Sequence, residues 1–282
     1  MLLDRMNTLR LIIQVFLILL FVFIAIGLDC RMQITRYSIF SEKISKPLKI
    51  TLLADLHSCN YGKAERRIIN KIDLFKPDII LLAGDIYDNN ASNKRTSDFL
   101  HNIGPRYRCF YVTGNHEVMS GFLDSIKKDV RASSITILEG QTETICIGND
   151  SICISGMPDM IELGNNISFE RYIDTAARKC NFNNFSIFLS HRPEMIPTYL
   201  KAGFDLSCVG HYHGGLWRLP YIKEGLLATD HPEECKYTGG IYKKGNQAVV
   251  VSRGLYRSII SIPRFFNRPE LVEITLLPIN YE

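Results

Sequence analysis

Five short apolar runs recur along the chain, and each stops at a polar residue drawn from a small set. Lys49–Ala54 stops at Asp55, and Asp78–Ala83 stops at Gly84-Asp85. Cys109–Thr113 stops at Gly114-Asn115-His116, Phe185–Ser190 at His191, and Leu206–Val209 at Gly210-His211. Runs of this length between turn signals predict strands buried on both faces. Between the first two, Ile68, Ile69, Ile72 and Phe75 repeat with a helical period that Pro77 closes. Buried strands alternating with helices predict an α/β layered domain. Further strands are expected over 237–252 and 270–277, with turns at Gly239-Gly240 and Lys244-Gly245-Asn246.

A different pattern opens the chain. Leu11–Leu28 is apolar apart from Gln14 and Gly27, and as a helix these residues span about 27 Å, close to the hydrocarbon thickness of a bilayer. The stretch has no polar face, which argues against a buried core helix. Its exit, Gly27-Leu28-Asp29-Cys30, lacks the small-residue pattern of a cleavage site. The expectation is an uncleaved single-pass anchor in the cell membrane over 1–28, a polar connector over 29–47, and a catalytic domain over 48–282. Arg5 and Arg10 precede the segment, whereas Arg31, Arg36, Lys43 and Lys46 follow it, so flanking charge leaves the orientation open. Basic residues followed by one apolar run form a signal-like layout, which favours an extracytoplasmic domain.

Composition adds exclusions. The net charge of +4 is scattered without a Lys/Arg block, so no specific nucleic-acid binding is expected. None of the eight cysteines forms a Cys-x-x-Cys pair, which removes a zinc knuckle or a thioredoxin-like site. They are expected as buried free thiols, with one bridge left open, between Cys146 and Cys153 if these face each other across a hairpin.

Strand ends are where ligands gather in open α/β sheets. The residues there are Asp55, His57, Asp85, Asn115, His191, His211 and His213, a mixture of carboxylate, imidazole and amide donors that suits divalent Mn, Fe or Zn. Seven donors are too many for one tetrahedral ion and fit two ions sharing a bridging carboxylate. Five of the seven histidines in the chain lie at these ends, His116 among them.

Asp55-Leu56-His57, Gly84-Asp85-Ile86-Tyr87-Asp88, Gly114-Asn115-His116-Glu117, Ser190-His191 and Gly210-His211-Tyr212-His213-Gly214-Gly215 resemble, in order, the five motifs of the calcineurin-like metallophosphoesterases. Leu216–Pro220 and Arg268-Pro269-Glu270 resemble a bacterial membrane-associated subgroup, in which a glutamine is common where Leu216 stands. The resemblance implies a four-layer α/β/β/α sandwich and two divalent metal ions. It places Asp55, His57 and His213 on the first ion, Asn115, His191 and His211 on the second, and Asp85 between them. His116 would act on the substrate, oriented by Asp88. The implied activity is hydrolysis of a phosphate ester: a monoester, a diester or a lipid-linked pyrophosphate. The substrate partner would be a phosphorylated small molecule or lipid; the competing reading is a non-catalytic metal-binding scaffold. Lys63, Arg66 and Arg67 read as a solvated helix face or a phosphate contact. Arg192, Arg253 and Arg257 are placed to pair a substrate oxygen, and Trp217 to meet a lipid, a base or the core.

Overall fold

The apolar runs assemble into two six-stranded sheets, seen in a computed structural model that describes residues 2–89, 91–164, 168–222, 224–227, 236–257 and 262–281. The first sheet holds β1 (Gln33–Ser41), β2 (Leu48–Leu53), β3 (Ile79–Ala83), β4 (Arg108–Val112), β5 (Thr136–Ile137) and β12 (Glu270–Pro278), in the order β1-β12-β2-β3-β4-β5. The second holds β6 (Thr142–Ile147), β7 (Asp150–Gly156), β8 (Phe185–Leu189), β9 (Leu206–Val209), β10 (Gly240–Lys244) and β11 (Gln247–Val251), in the order β10-β11-β9-β8-β7-β6. The helices are α1 (Leu2–Gly27), α2 (Arg66–Phe75), α3 (Lys94–Ile103), α4 (Asn115–Met119), α5 (Leu123–Ala132), α6 (Met160–Leu163), α7 (Phe169–Lys179) and α8 (Ile196–Ala202).

Successive strand residues point to opposite faces, and this sorts the core into three bodies. Ile50, Leu52, Ile79 and Leu81 pack against Ile154, Ile187, Leu189 and Leu206 between the sheets. The alternate residues Leu53, Ile80 and Leu82 meet Ile68, Ile72, Phe99 and Val130 on α2, α3 and α5. On the far side, Phe188, Val209 and Val249 meet Ile173, Ala176 and Tyr199 on α7 and α8. The layers are therefore helices, sheet, sheet, helices, as the motif resemblance implied. Strands β2 to β5 run parallel, and so do β7, β8, β9 and β11. The carboxyl ends of β2, β3, β4, β8 and β9 open into the loops that carry the candidate donors.

Three expectations change. Residues 29–47 do not form a connector, because β1 adds to the sheet edge and pairs with β12 from Gln33↔Glu270 to Ser41↔Pro278. Ile39 is buried there, and Thr35 donates to Glu270 at 2.6 Å. Cys146 and Cys153 do not face each other: the Gly148-Asn149 turn sets a register in which Cys146 opposes Ser151 and Cys153 opposes Thr144. Cys153 instead points to the α7 side and forms a disulfide with Cys180. Of the other thiols, Cys109 and Cys208 are buried as expected, whereas Cys146 is exposed; Cys30 and Cys59 are half-buried. Cys235 lies outside the described residues. Finally, Trp217 is neither fully buried nor isolated; its Nε1 donates to Pro263 O and its ring lies 6.0 Å from that of Phe265.

Helix α1 is long and apolar enough to cross a membrane, and none of that span is buried in the rest of the chain. Its foot alone touches the domain. Phe23 packs on Phe265 and Phe266 with centroids at 5.8 and 4.9 Å, and Phe266 N donates to Gly27 O.

A chain starting at Asp29 keeps β1; one starting at Lys46 loses it. The first is expected to be soluble and to melt in one cooperative transition. The second should melt roughly 10 °C lower, since each kcal/mol of lost stability moves Tm by about 2–4 °C at this size. Equal melting temperatures by circular dichroism would contradict the structural role of β1.

Candidate metal centre

Three donor groups, two of them wholly buried, form where the two sheets meet. Asp55, His57 and His213 make one, Asp85, His191 and His211 a second, and His57, Asp85 and His116 a third; within each, the donor atoms lie within 4.8 Å of one another. Every donor proposed from the sequence is thus at this place. Asn115 joins through its Oδ1, 3.2 Å from His191 Nε2.

Local backbone geometry aims these side chains. Asp55, His57, Asp85, His211 and His213 all have φ between 47° and 80°, the left-handed region that costs a non-glycine residue on the order of 1 kcal/mol or more. Backbone bonds hold the turns in that state: Asp55 N donates to Gly84 O, and His57 N to Asp85 O. Bonds also cross between the sheets, as from His211 N to Asp55 Oδ1 at 3.0 Å. Gly114 lets the third loop approach, since a Cβ there would lie 2.2 Å from Asp85 Oδ1. Gly254 does the same for Asp55 at 2.5 Å, with φ of +70°.

The hydrogen bonds also fix tautomers. His191 Nδ1 lies 2.7 Å from Ala83 O; a carbonyl only accepts, so Nδ1 carries a proton and Nε2 is the nitrogen placed to bind a cation. That Nε2 sits 3.2 Å from Asp85 Oδ2 and 3.2 Å from His211 Nδ1. Three donors therefore converge on one point. At the other point, His57 Nε2 is 3.6 Å from Asp85 Oδ2 and His213 Nδ1 is 4.0 Å from Asp55 Oδ1. His57 Nε2 and His213 Nδ1 are buried with no hydrogen-bond partner. Buried polar atoms are normally satisfied, and a cation would satisfy these.

Electrostatics agree with a cation site. Burial first, and then Asp85, push Asp55 up to about 6 against the pull of His191. Burial opposes the charge on Asp85 too, but His191 and His57 outweigh it and hold that carboxyl well below the usual range. Burial works against a charged His191 as well, yet Asp85 raises it to about 10. A proton on His191 thus compensates Asp85, and a divalent cation would take over that role and release the proton.

Residues without a role in the motif reading complete the centre. Glu117, fully buried, accepts N–H bonds from Asp85, Ile86, Tyr87 and Gly114 and the hydroxyl of Tyr111. It ties the second loop to the third. Its place three residues after Gly114, at the start of α4, is the one signal that could have found it, as an N-terminal cap acting on its own helix. Tyr256 packs on His57 and His213 with centroids at 4.8 and 5.2 Å. Arg264, also buried, donates to the carbonyls of His213, Tyr256 and Arg253. Arg192 is not a free substrate contact: Asp159 takes its Nε and Nη2 at 2.7 and 3.0 Å, and its Nη1 lies 2.8 Å from His211 Nε2. Arg253 is likewise held by Glu270. His116 is half-buried, with its N–H on Asp85 Oδ1 and Nδ1 3.1 Å from Asn89 Oδ1. Asp88 lies closer to His57, at 3.4 Å, than to His116, at 3.9 Å.

A family model of the calcineurin-like phosphoesterases matches residues 48–215, which contain every one of these donors. The chain belongs to that family. It is 29% identical over 256 residues to an uncharacterised metallophosphoesterase of Helicobacter pylori (strain J99), covering 89% of this chain and 65% of that protein. It is 27% identical to the phosphodiesterase YaeI of Escherichia coli (strain K12), covering 84% of this chain and 85% of YaeI. Among solved structures, a protein of Thermus thermophilus, TT1561, aligns with a TM-score of 0.46 at 12% identity, over 74% of this chain and 91% of that one. The family generally binds divalent metals, and this chain carries candidate Asp/His groups for them.

Glu117→Gln keeps the shape but sets an amide NH2, a donor, against the N–H groups of Asp85 and Gly114 that Oε2 accepts. At about 1–3 kcal/mol for each orphaned donor, urea unfolding should show a loss of roughly 2–6 kcal/mol. An unchanged midpoint would contradict the role of Glu117 in joining the two loops.

Proposed function

We propose that the chain hydrolyses a phosphate ester at two divalent cations. Asp55, His57 and His213 hold the first, Asn115, His191 and His211 the second, and Asp85 stands between them. The observation that carries the reading is the position of Asp85: it belongs to a donor group with His191 and His211 and to another with His57. A carboxylate with two oxygens suits that place, since it binds on both sides and its charge separates the cations. Ions held by these residues would neutralise the anionic phosphate and supply a water nucleophile at neutral pH. Relatives named metallophosphoesterase and phosphodiesterase support a phosphoester as substrate.

The residues of the chain do the rest. His116 sits at the open side of the centre, its ring edge-on to His57 at 4.3 Å. Its backbone N–H fixes Asp85, and its side chain, more exposed than the donors, reaches the leaving oxygen and gives it a proton. Asp88, beside both His57 and His116, positions the two rings. Gly114 and Gly254 leave room for Asp85 and Asp55 at the floor.

Helix α1 anchors the domain in the membrane as a single span, ahead of a catalytic domain that begins with β1. The Cys153–Cys180 disulfide belongs to an oxidising compartment, which supports the extracytoplasmic side. An anchored site meets membrane-borne substrates at high effective concentration, so lipid-linked phosphoesters stand beside soluble ones in the substrate class.

The test uses the full chain in detergent with a panel of aryl phosphate esters of graded leaving-group acidity. Chelation should abolish hydrolysis and Mn should restore it; no hydrolysis of any ester by the folded, metal-loaded chain would favour the scaffold reading. His116→Ala should keep metal and fold while turnover falls by about 10²–10⁴, the range for lost general acid–base catalysis. The loss should shrink as the leaving group becomes more acidic. A uniform loss on every ester, or loss of metal, would remove His116 from the acid role.

A further inference from the structure

Basic side chains collect at a place away from the metal centre. A cavity of about 500 Å³ lies at the foot of α1, its wall formed by Arg31, Met32, Tyr61, Arg67, Lys71 and Arg257. Arg67 and Lys71 are one helical turn apart on α2 and face the cavity together. Arg31 is paired with Asp29 at 2.9 Å, but among the described residues no carboxylate pairs with Arg67, Lys71 or Arg257. Arg257 carries the sharpest signal. Its Nη1 donates to Asn60 O and its guanidinium lies 5.5 Å from the Tyr61 ring, yet its Nε is buried without a hydrogen-bond partner. Cations that converge without counter-charge repel one another, and such a cavity favours an anion. Arginine forks suit phosphate oxygens in particular.

The position says which phosphate. The cavity wall includes Cys30, Arg31 and Met32, which follow directly on the end of α1 at Gly27. If α1 spans a bilayer, the reading on which this inference rests, the cavity lies at the level of the headgroups. Met32 and the exposed Leu74 add apolar surface to the same wall, fitting a ligand with a charged head on an apolar body. The volume lies within the range of small-molecule sites. We propose that this cavity binds the phosphate group of an anionic membrane phospholipid. It shares a wall with the metal centre, because Arg257 N donates to Cys59 Sγ in the loop after His57, and the neighbouring Tyr256 packs on His57 and His213. A bound lipid therefore draws the metal centre down to the membrane surface.

The experiment is native mass spectrometry of the full chain released from nanodiscs containing equal phosphatidylglycerol and phosphatidylcholine. One phosphatidylglycerol should stay bound in at least tenfold preference over phosphatidylcholine. Arg67→Gln/Lys71→Gln should lose that preference with an unchanged melting temperature and unchanged turnover of a soluble aryl phosphate ester. The readout needs no hydrolysis, so a chain that binds the lipid but cleaves no ester would count against the phosphoesterase reading alone. Equal retention of both lipids, preference surviving in the double variant, or displacement of the lipid by micromolar inorganic phosphate would overturn the site. So would failure of the chain to enter the nanodisc, which removes the anchor beneath it.

Discussion

Two carboxylates, Asp55 and Asp85, lie fully buried between the sheets, and the surrounding structure answers the cost of putting charge there. Buried charge is tolerated only when it is paired and hydrogen-bonded. Asp55 receives the N–H of His211 from the opposite sheet, and Asp85 receives that of His116. His191 stands against Asp85, with its far nitrogen anchored on Ala83 O. These groups only partly offset the two negative charges, and the unpartnered ring nitrogens of His57 and His213 point to the missing component as a cation. The left-handed turns at Asp55, His57, Asp85, His211 and His213 are conformational strain that this charge arrangement justifies.

The strands and the donors were legible in the sequence because both carry a local signature. A strand buried on both faces is an unbroken apolar run, and a candidate donor follows within a few residues of its end. β1 escaped because it is an edge strand with one side open: its Arg36 and Ser38 are exposed and alternate with half-buried Tyr37 and buried Ile39, so the run looks polar. The Cys153–Cys180 bridge joins a strand to a helix 27 residues on, a distance set by packing and not by spacing. Glu117, Arg264 and Asn267 act on backbone groups of loops far away in sequence, and side-chain bonds to a remote backbone leave no periodic trace. Arg192 was misread for a related reason. Its position beside His191 suggested a substrate contact, but the fold delivers Asp159 to the same spot.

Helix α1 and the centre are joined through a short segment. Phe265 and Phe266 take the foot of α1 on one side. From the same stretch Arg264 and Asn267 reach inward and both donate to His213 O. The segment turns at Phe266, whose φ is +49°, so that its two adjacent rings face α1 while Arg264 and Asn267 on either side reach the loop of His213. Removing the helix uncovers the rings but leaves the inward bonds, so the donor set does not depend on α1.

The central claim is that Asp85 joins two ions in one site. Electron paramagnetic resonance of the full chain loaded with Mn(II), with metal analysis of the same sample, tests it most directly. Two ions per chain with the spectrum of an exchange-coupled pair are expected, and Asp85→Asn should lose the coupling together with most of the metal. One ion per chain with the hyperfine pattern of isolated Mn(II), unchanged in Asp85→Asn, would contradict the account.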